Sequence, residues 1–272
     1  MDSKKHHLLA IPYYLWILLF VVAPIILLVY RSFFDISGNL TFDNYMNYLT
    51  DRNYIVMTIS SFVYAFLVTL VTFLVAYPMA YFLTKTKYKD LWLLFIILPT
   101  WINLLLKIYA FIGIMSQTGP INSFFEAIGL EHQQLLFTNL SFLVVATYIE
   151  LPFMLIPIFN SIDDIPNTLL EASKDLGANE WVTLRRVIFP LSLRGVRSGV
   201  QAVFIPSLSL FMLTRLIGGN RVITLGTAVE QHFLVTQNWG MGATIGVILL
   251  LAMLLVMYAT RSRDNRGGVS ND

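Results

Sequence analysis

The sequence predicts an all-α integral membrane protein with six transmembrane helices and both termini on the cytoplasmic side. Three observations predict this. The first is composition. Of 272 residues, 57% are hydrophobic and only 12% are charged, and the mean hydropathy is +0.70. Ordinary soluble domains are about 25% charged, and a soluble chain of this size has too little interior for so much apolar surface, so most of it faces lipid. The second is length. A bilayer core takes about 20 mainly apolar residues per helix, and the chain supplies such a run six times. The third is the distribution of lysine and arginine, described below.

The same composition excludes other classes. Disorder is incompatible with this hydropathy, and a net charge of +2 excludes a strongly electrostatic nucleic-acid binder. The chain has no cysteine, which removes disulfide scaffolds, thiolate metal sites and thiol catalysis. The histidines are His6, His7, His132 and His232, with no His-x-x-x-His pair, so no metal site is expected.

The spans read as 8–30, 56–84, 91–115, 139–160, 197–217 and 241–260. The first follows Lys4 and Lys5. It is too long for a signal-peptide core and runs into Tyr30-Arg31-Ser32 without a small-residue cleavage site, so it reads as a retained helix. Pro78 predicts tilt or a kink in the second. The fourth carries Pro152 and Pro157, and the fifth, with Arg197, Pro206 and Arg215, is the least apolar. With the amino terminus inside, inner segments hold thirteen lysines and arginines: Lys4, Lys5, Lys85, Lys87, Lys89, Lys174, Arg185, Arg186, Arg194, Arg197, Arg261, Arg263 and Arg266. Outer loops hold three, Arg31, Arg52 and Arg221. This bias places both termini in the cytoplasm. Residues 121–129 predict a short amphipathic helix at the outer interface, ended by Gly129. The chain therefore divides into a first helix with its outer loop (1–55), a main membrane domain (56–260) and a short cytoplasmic tail (261–272).

The largest inner segment, 161–196, predicts two short helices. Pro166 suits the first helical turn and Gly177 the left-handed position after the last. Leu169, Ala172 and Leu176 form one apolar stripe, and Trp181, Leu184 and Ile188 another. Asn179 can cap the second helix, and Pro190 is expected to stop it near Phe189. Helices of about ten residues are marginal alone, so both need a surface to pack on: their own bundle, or a cytoplasmic partner.

Here Glu171-Ala172-Ser173, Gly177 and Val187-Ile188-Phe189-Pro190 resemble the EAA loop of ATP-binding-cassette importer permeases. That loop has Glu-Ala-Ala, a glycine four positions on, and an Ile-x-Leu-Pro ending. The chain departs from it at Ser173, Val187 and Phe189, and at Arg194, where a proline often precedes the final glycine, here Gly195. The resemblance implies a type I importer permease fold. It also implies that Glu171, Ala172, Ser173, Leu176, Gly177, Ala178, Arg185 and Pro190 belong to a loop docking on a cytoplasmic ATPase. Implied partners are an ATPase dimer, a second six-helix permease, an extracellular or periplasmic solute-binding protein and membrane lipid, with no nucleic acid. ATP and magnesium would be used by the ATPase, since no Gly-x-x-x-x-Gly-Lys-Ser/Thr run exists in this chain, which is no enzyme by itself. The implied location is a bacterial plasma membrane, crossed many times.

Further stretches look like the first permease subunit of spermidine/putrescine importers. They are Ile11-Pro12-Tyr13-Tyr14, Tyr30-Arg31-Ser32-Phe33, Leu151-Pro152-Phe153-Met154, Phe204-Ile205-Pro206-Ser207-Leu208, Leu216-Ile217-Gly218-Gly219, Gln231-His232-Phe233, Asn238-Trp239 and Gly242-Ala243. Permeases for iron, sulfate, thiamine and other small solutes share several of these. A polyamine path needs carboxylates and aromatic faces to replace lost hydration. Glu150 is the one acid at a span centre, with Thr147, Phe153 and Met154 on its face and Tyr148 pointing away. It either meets solute or neutralises Lys107 of the third span. Trp101 either stacks on a methylene chain or packs in the bundle. Lys107 and Arg215 place positive charge in the spans, so a second permease is expected to supply further carboxylates. A proton-coupled secondary transporter using Glu150 is the alternative of a different class. An enzyme is disfavoured because Asp163-Asp164 and Glu171/Asp175 lie on a surface loop as helix-start charges, with no nucleophile and base beside them.

Overall fold

The computed structural model describes residues 11–219 and 222–260. Lys4, Lys5, His6, His7, Arg221, Arg261, Arg263 and Arg266, the first residues of the opening span and the tail 261–272 lie outside the described residues. Within them the chain is helical, and its only extended pairing is an isolated antiparallel bridge between Phe34 and Leu40.

The first helix, α1 (Ile11–Arg31), is almost wholly uncovered by the rest of the chain. A short α2 (Asp43–Thr50) leads to α3 (Arg52–Thr84), which starts where Asp51 accepts a hydrogen bond from the Asn53 amide. At 33 residues and about 1.5 Å rise each, α3 exceeds the roughly 30 Å of a bilayer core. It remains one helix through Pro78. Its buried face includes the small residues Ser61, Ala65, Thr69, Thr72, Ala76 and Ala80, which let neighbouring backbones come close.

The stretch 91–115 is not the single span expected. It forms α4 (Lys89–Ile97), a tight 3-10 turn (Leu98–Trp101), extended backbone at Ile102 and Asn103, and α5 (Leu104–Met115). Pro99 offers no amide hydrogen to continue α4, and the Asn103 side chain caps α5 by accepting from the Leu105 amide at 2.8 Å. Next comes α6 (Pro120–Ala127), the expected amphipathic helix, followed by Gly129 with φ of 79°.

Helix α7 (Asn139–Asp163) is opened by a capping box of Thr138 and Ser141 and contains Pro152 and Pro157. After α8 (Asn167–Asp175) and α9 (Glu180–Thr183), a π turn (Leu184–Ile188) runs directly into α10 (Phe189–Ser207). The expected fifth span, 197–217, is therefore shifted and broken: α10 begins earlier, and a turn after Pro206 separates it from α11 (Phe211–Leu216). Thr224 and Thr227 form a capping box on α12 (Leu225–Glu230), which continues through a further π turn (Gln231–Val235). The last helix is α13 (Trp239–Thr260). Among the described residues, five stretches are long and apolar enough to cross a membrane: Ile11–Arg31, Arg52–Thr84, Leu104–Ala127, Asn139–Asp163 and Trp239–Thr260.

The centre of the molecule is the packing of α3, α7 and α10 on one another. Val68, Phe142, Met154, Leu155, Ile158 and Val203 are fully or almost fully buried there. A second cluster joins α2, α3, α12 and α13 through Tyr48, Ala65, Leu225 and Ile245. Two glycines set the α7–α10 distance: a Cβ at Gly195 would strike the Pro157 carbonyl oxygen, and one at Gly199 would strike Met154. This is close helix approach through small residues spaced four apart.

Candidate functional site

The segment between α7 and α10 folds as a helical hairpin of α8 and α9. Pro166 stands at the N-cap of α8, one position before the first helical turn where it was expected. Gly177 has φ of 78°, a conformation that costs an L side chain about 1–2 kcal/mol. Its amide donates to the Lys174 carbonyl, and the Ala178 amide reaches back to Ser173 at 3.1 Å, closing the turn as a Schellman motif. Asn179 caps α9 by accepting from the Val182 amide at 2.9 Å. Across the hairpin, the buried hydroxyls of Ser173 and Thr183 hydrogen-bond at 2.7 Å. The residue that departs from the second alanine of the EAA pattern thus has a bonding partner on the facing helix.

Pro190 does not end the second helix. The π turn absorbs it: the Phe189 amide bonds five residues back, to Leu184, and the backbone passes through the proline without a break in helical geometry. Helix α9 therefore continues into α10 as one helical run.

The apolar stripes do not fold inward together. Ile188 is buried and Leu184 half-buried, but Leu169 is 45% exposed, Trp181 68% and Leu176 88%. Glu171, Ala172 and Arg185 are exposed as well, and Ala178 is half-buried. Leu169, Leu176 and Trp181 are thus left uncovered by the rest of the chain.

Two ion pairs flank the hairpin. Lys85, the C-cap of α3, meets Glu180 at 3.2 Å. Lys89, the first residue of α4, meets both carboxylate oxygens of Asp163 at 2.7 and 2.8 Å. These hydrogen bonds hold the Lys89 pKa above the ordinary lysine value. Sequence reasoning read these lysines only as topology signals and Asp163 as a helix-start charge. Asp163 instead ends α7, and the pairings join positions 74 and 95 residues apart, which no local pattern reveals.

Glu150 lies on α7 with 4% of its surface exposed. Among the described residues its carboxylate has no hydrogen-bond partner, and the four ion pairs formed do not include it. Lys107, on α5, does not come within ion-pair distance of it. Thr147 and Met154 share its buried face, and the Thr147 hydroxyl is also unpartnered. Phe153, expected on that face, is instead 47% exposed. Tyr148 points away and meets Phe111 edge-on, with ring centres 5.0 Å apart. Trp101 ends the 3-10 turn with 76% of its surface exposed, so it is no packing aromatic within this chain. Arg215 pairs with Glu230 at 2.8 Å, which neutralises one of the two cations expected in the spans.

Comparison with known proteins agrees with this geometry. The spermidine/putrescine transport system permease protein PotB of Escherichia coli (strain K12) is 32% identical over 260 residues, covering 91% of this chain and 94% of that protein. PotB of Haemophilus influenzae is 31% identical over 255 residues, covering 89% of each. In structure, the chain superposes with a TM-score of 0.81 on a chain of a bacterial alginate ABC transporter solved in complex with an alginate-bound periplasmic protein. That match covers 95% of this chain and 93% of the other at 16% identity, a likeness of fold alone. The family model described as binding-protein-dependent transport system inner membrane component matches residues 47–266. Having this match over most of its length, the chain belongs to that family of transport permeases.

Proposed function

We propose that this chain is one of two permease subunits of an ATP-driven polyamine importer in a bacterial plasma membrane. It crosses the membrane six times with both termini in the cytoplasm. The crossing outside the five long apolar stretches is made by α10 and α11 together, where Arg194 and Arg197 lower the apolar character of α10. The observation that carries the reading is the hairpin of α8 and α9. It is locked internally by Ser173 and Thr183, directed by Gly177, and presents Leu169, Leu176 and Trp181 outward. A hairpin built only to cover its own bundle would turn those side chains inward.

In this reading the hairpin seats on a cytoplasmic ATPase dimer, which binds the ATP and magnesium. Closure of the dimer displaces α8 and α9, the continuous α9–α10 rod carries the movement into the membrane, and α10 shifts against α7 at the Gly195–Gly199 crossing. Rigid movement of packed helices is how a two-state membrane transporter alternates access. A solute-binding protein delivers the solute from outside, and a second permease completes the path. The solute class rests on the two PotB relatives and on Glu150, a buried carboxylate with no fixed partner. Glu150 can receive an ammonium group when α7 and α10 part, because a charge at that depth persists only with a use or a counter-charge.

The test is uptake of labelled spermidine and putrescine into liposomes that hold this chain with its ATPase, second permease and binding protein. ATP-dependent uptake of either is the expected result. Import of sulfate with no polyamine uptake would reject the solute class, and uptake driven by a proton gradient without ATP would reject the importer class.

A further inference from the structure

We propose that the short segment 85–89 is a strut that clasps the first arm of the coupling hairpin, α8 with its turn, at both ends and delivers its displacement to α3 and α4. The inference rests on the coupling role proposed above. The segment is placed for this task. Asp163 is the last residue of α7 and Glu180 the first of α9, so these two acids bracket α8 and the turn at Gly177. Lys85 closes α3 and Lys89 opens α4, only four residues apart. Each lysine takes one of the bracketing acids. Four helices are thereby joined at one end of the bundle through a segment too short to deform independently.

The pairing is selective. Lys87, between the two, meets no acid among the described residues and lies instead over the Tyr88 ring at 5.9 Å. Lys85 is further steadied by the Tyr81 ring, 4.4 Å below its ammonium. Asp163 receives the Lys89 ammonium on both oxygens, at 2.8 and 2.7 Å.

The hairpin needs such a hold. Helix α8 packs mainly on α9 and the π turn rather than on the bundle. A cavity of about 780 Å3, lined by Tyr81, Lys85, Leu170, Asn179 and Ile188 among others, separates the hairpin from the helices beneath. Without the clasps, displacement of the hairpin would reach the membrane only through its covalent ends, α7 and α10. With them, it reaches α3 and α4 as well. Ion pairs this exposed contribute little to global stability, so their loss should appear in coupling and not in folding.

The test uses the complete complex in liposomes and reads ATP hydrolysed per spermidine imported. Lys89→Glu and Asp163→Lys should each raise this ratio by about twofold to fivefold, and the exchanged double variant should return it to the wild-type value. The same pattern is expected for Lys85→Glu and Glu180→Lys, while Lys87→Gln should change nothing. Unchanged ratios in the single variants, or a double variant as defective as either single, would overturn the proposal. A second readout needs no solute and keeps the clasp testable if the importer reading fails. Backbone hydrogen exchange over 164–179 in the full chain in detergent should speed up in Lys89→Gln and Lys89→Glu, and slow again in the exchanged double. Equal exchange in all of them would refute the clasp whatever the complex transports.

Discussion

Gly177 and Gly195 are both glycine for reasons that a substitution separates. Around Gly177 there is open space, and only its positive φ excludes other residues. Asn tolerates that conformation and Leu does not. Gly177→Asn should therefore keep ATPase stimulation and transport, while Gly177→Leu should lose both at normal expression. Stimulation by Gly177→Leu at the wild-type rate would detach this turn from coupling. Gly195 has ordinary backbone and no space at all, so Gly195→Leu should push α10 from α7 and destabilise the protein by about 1–3 kcal/mol. Thermal melting in detergent measures that cost. Glu150 invites a different experiment. Glu150→Gln keeps its shape and removes its charge, and uptake should fall about tenfold or more if an ammonium normally meets that carboxylate. Because Lys107 stands beyond direct pairing distance, adding Lys107→Met should not rescue it. Recovery of uptake in the double variant would mean that Glu150 serves only to neutralise Lys107.

At the scale of elements, two π turns join consecutive helical stretches, at Leu184–Ile188 and at Gln231–Val235. The first carries α9 past Pro190. The second presents His232, whose Nε2 meets the Tyr54 hydroxyl at 2.8 Å and whose Nδ1 meets Thr236 at 3.2 Å. Burial holds the His232 pKa below its ordinary 6.5. As pH falls, the unfolded chain thus takes up this proton before the folded one does, and stability declines below that value while staying level above it. Melting temperature should drop between pH of about 7 and about 5, and His232→Gln should reduce the drop. An identical pH profile for the variant would show that His232 contributes nothing to it.

For the whole molecule, the clearest expectation concerns ATP. The sequence has no Gly-x-x-x-x-Gly-Lys-Ser/Thr run, so in lipid by itself the chain should hydrolyse no ATP, and hydrolysis should begin only when an ATPase subunit is added. Robust turnover by the isolated chain would overturn the division of labour proposed here.

Much of this protein could be read from the sequence because the signals are local or summed. Hydropathy over about 20 residues reports a membrane helix wherever it lies. The placing of Pro166, Gly177 and Asn179 reports a hairpin because each residue acts on its own turn, through a fixed φ, a left-handed φ or a side-chain cap. The family, the helical class, the amphipathic α6 and the solitary acid Glu150 all belong to this kind of information. What the tertiary structure alone decided depends on which distant surfaces meet. Pro99 and Asn103 break the third expected span, and a turn after Pro206 breaks the fifth, although composition alone reads both as continuous. Pro190 is absorbed instead of stopping a helix, because a π turn supplies the register shift that a pattern of periods cannot show. The clasps of Lys85 to Glu180 and Lys89 to Asp163 join positions far apart in the chain, as does the seat of Gly195 against Pro157. Their partners are fixed by how α3, α7 and α10 pack, and packing depends on the shapes of whole faces, which no single stretch of sequence contains.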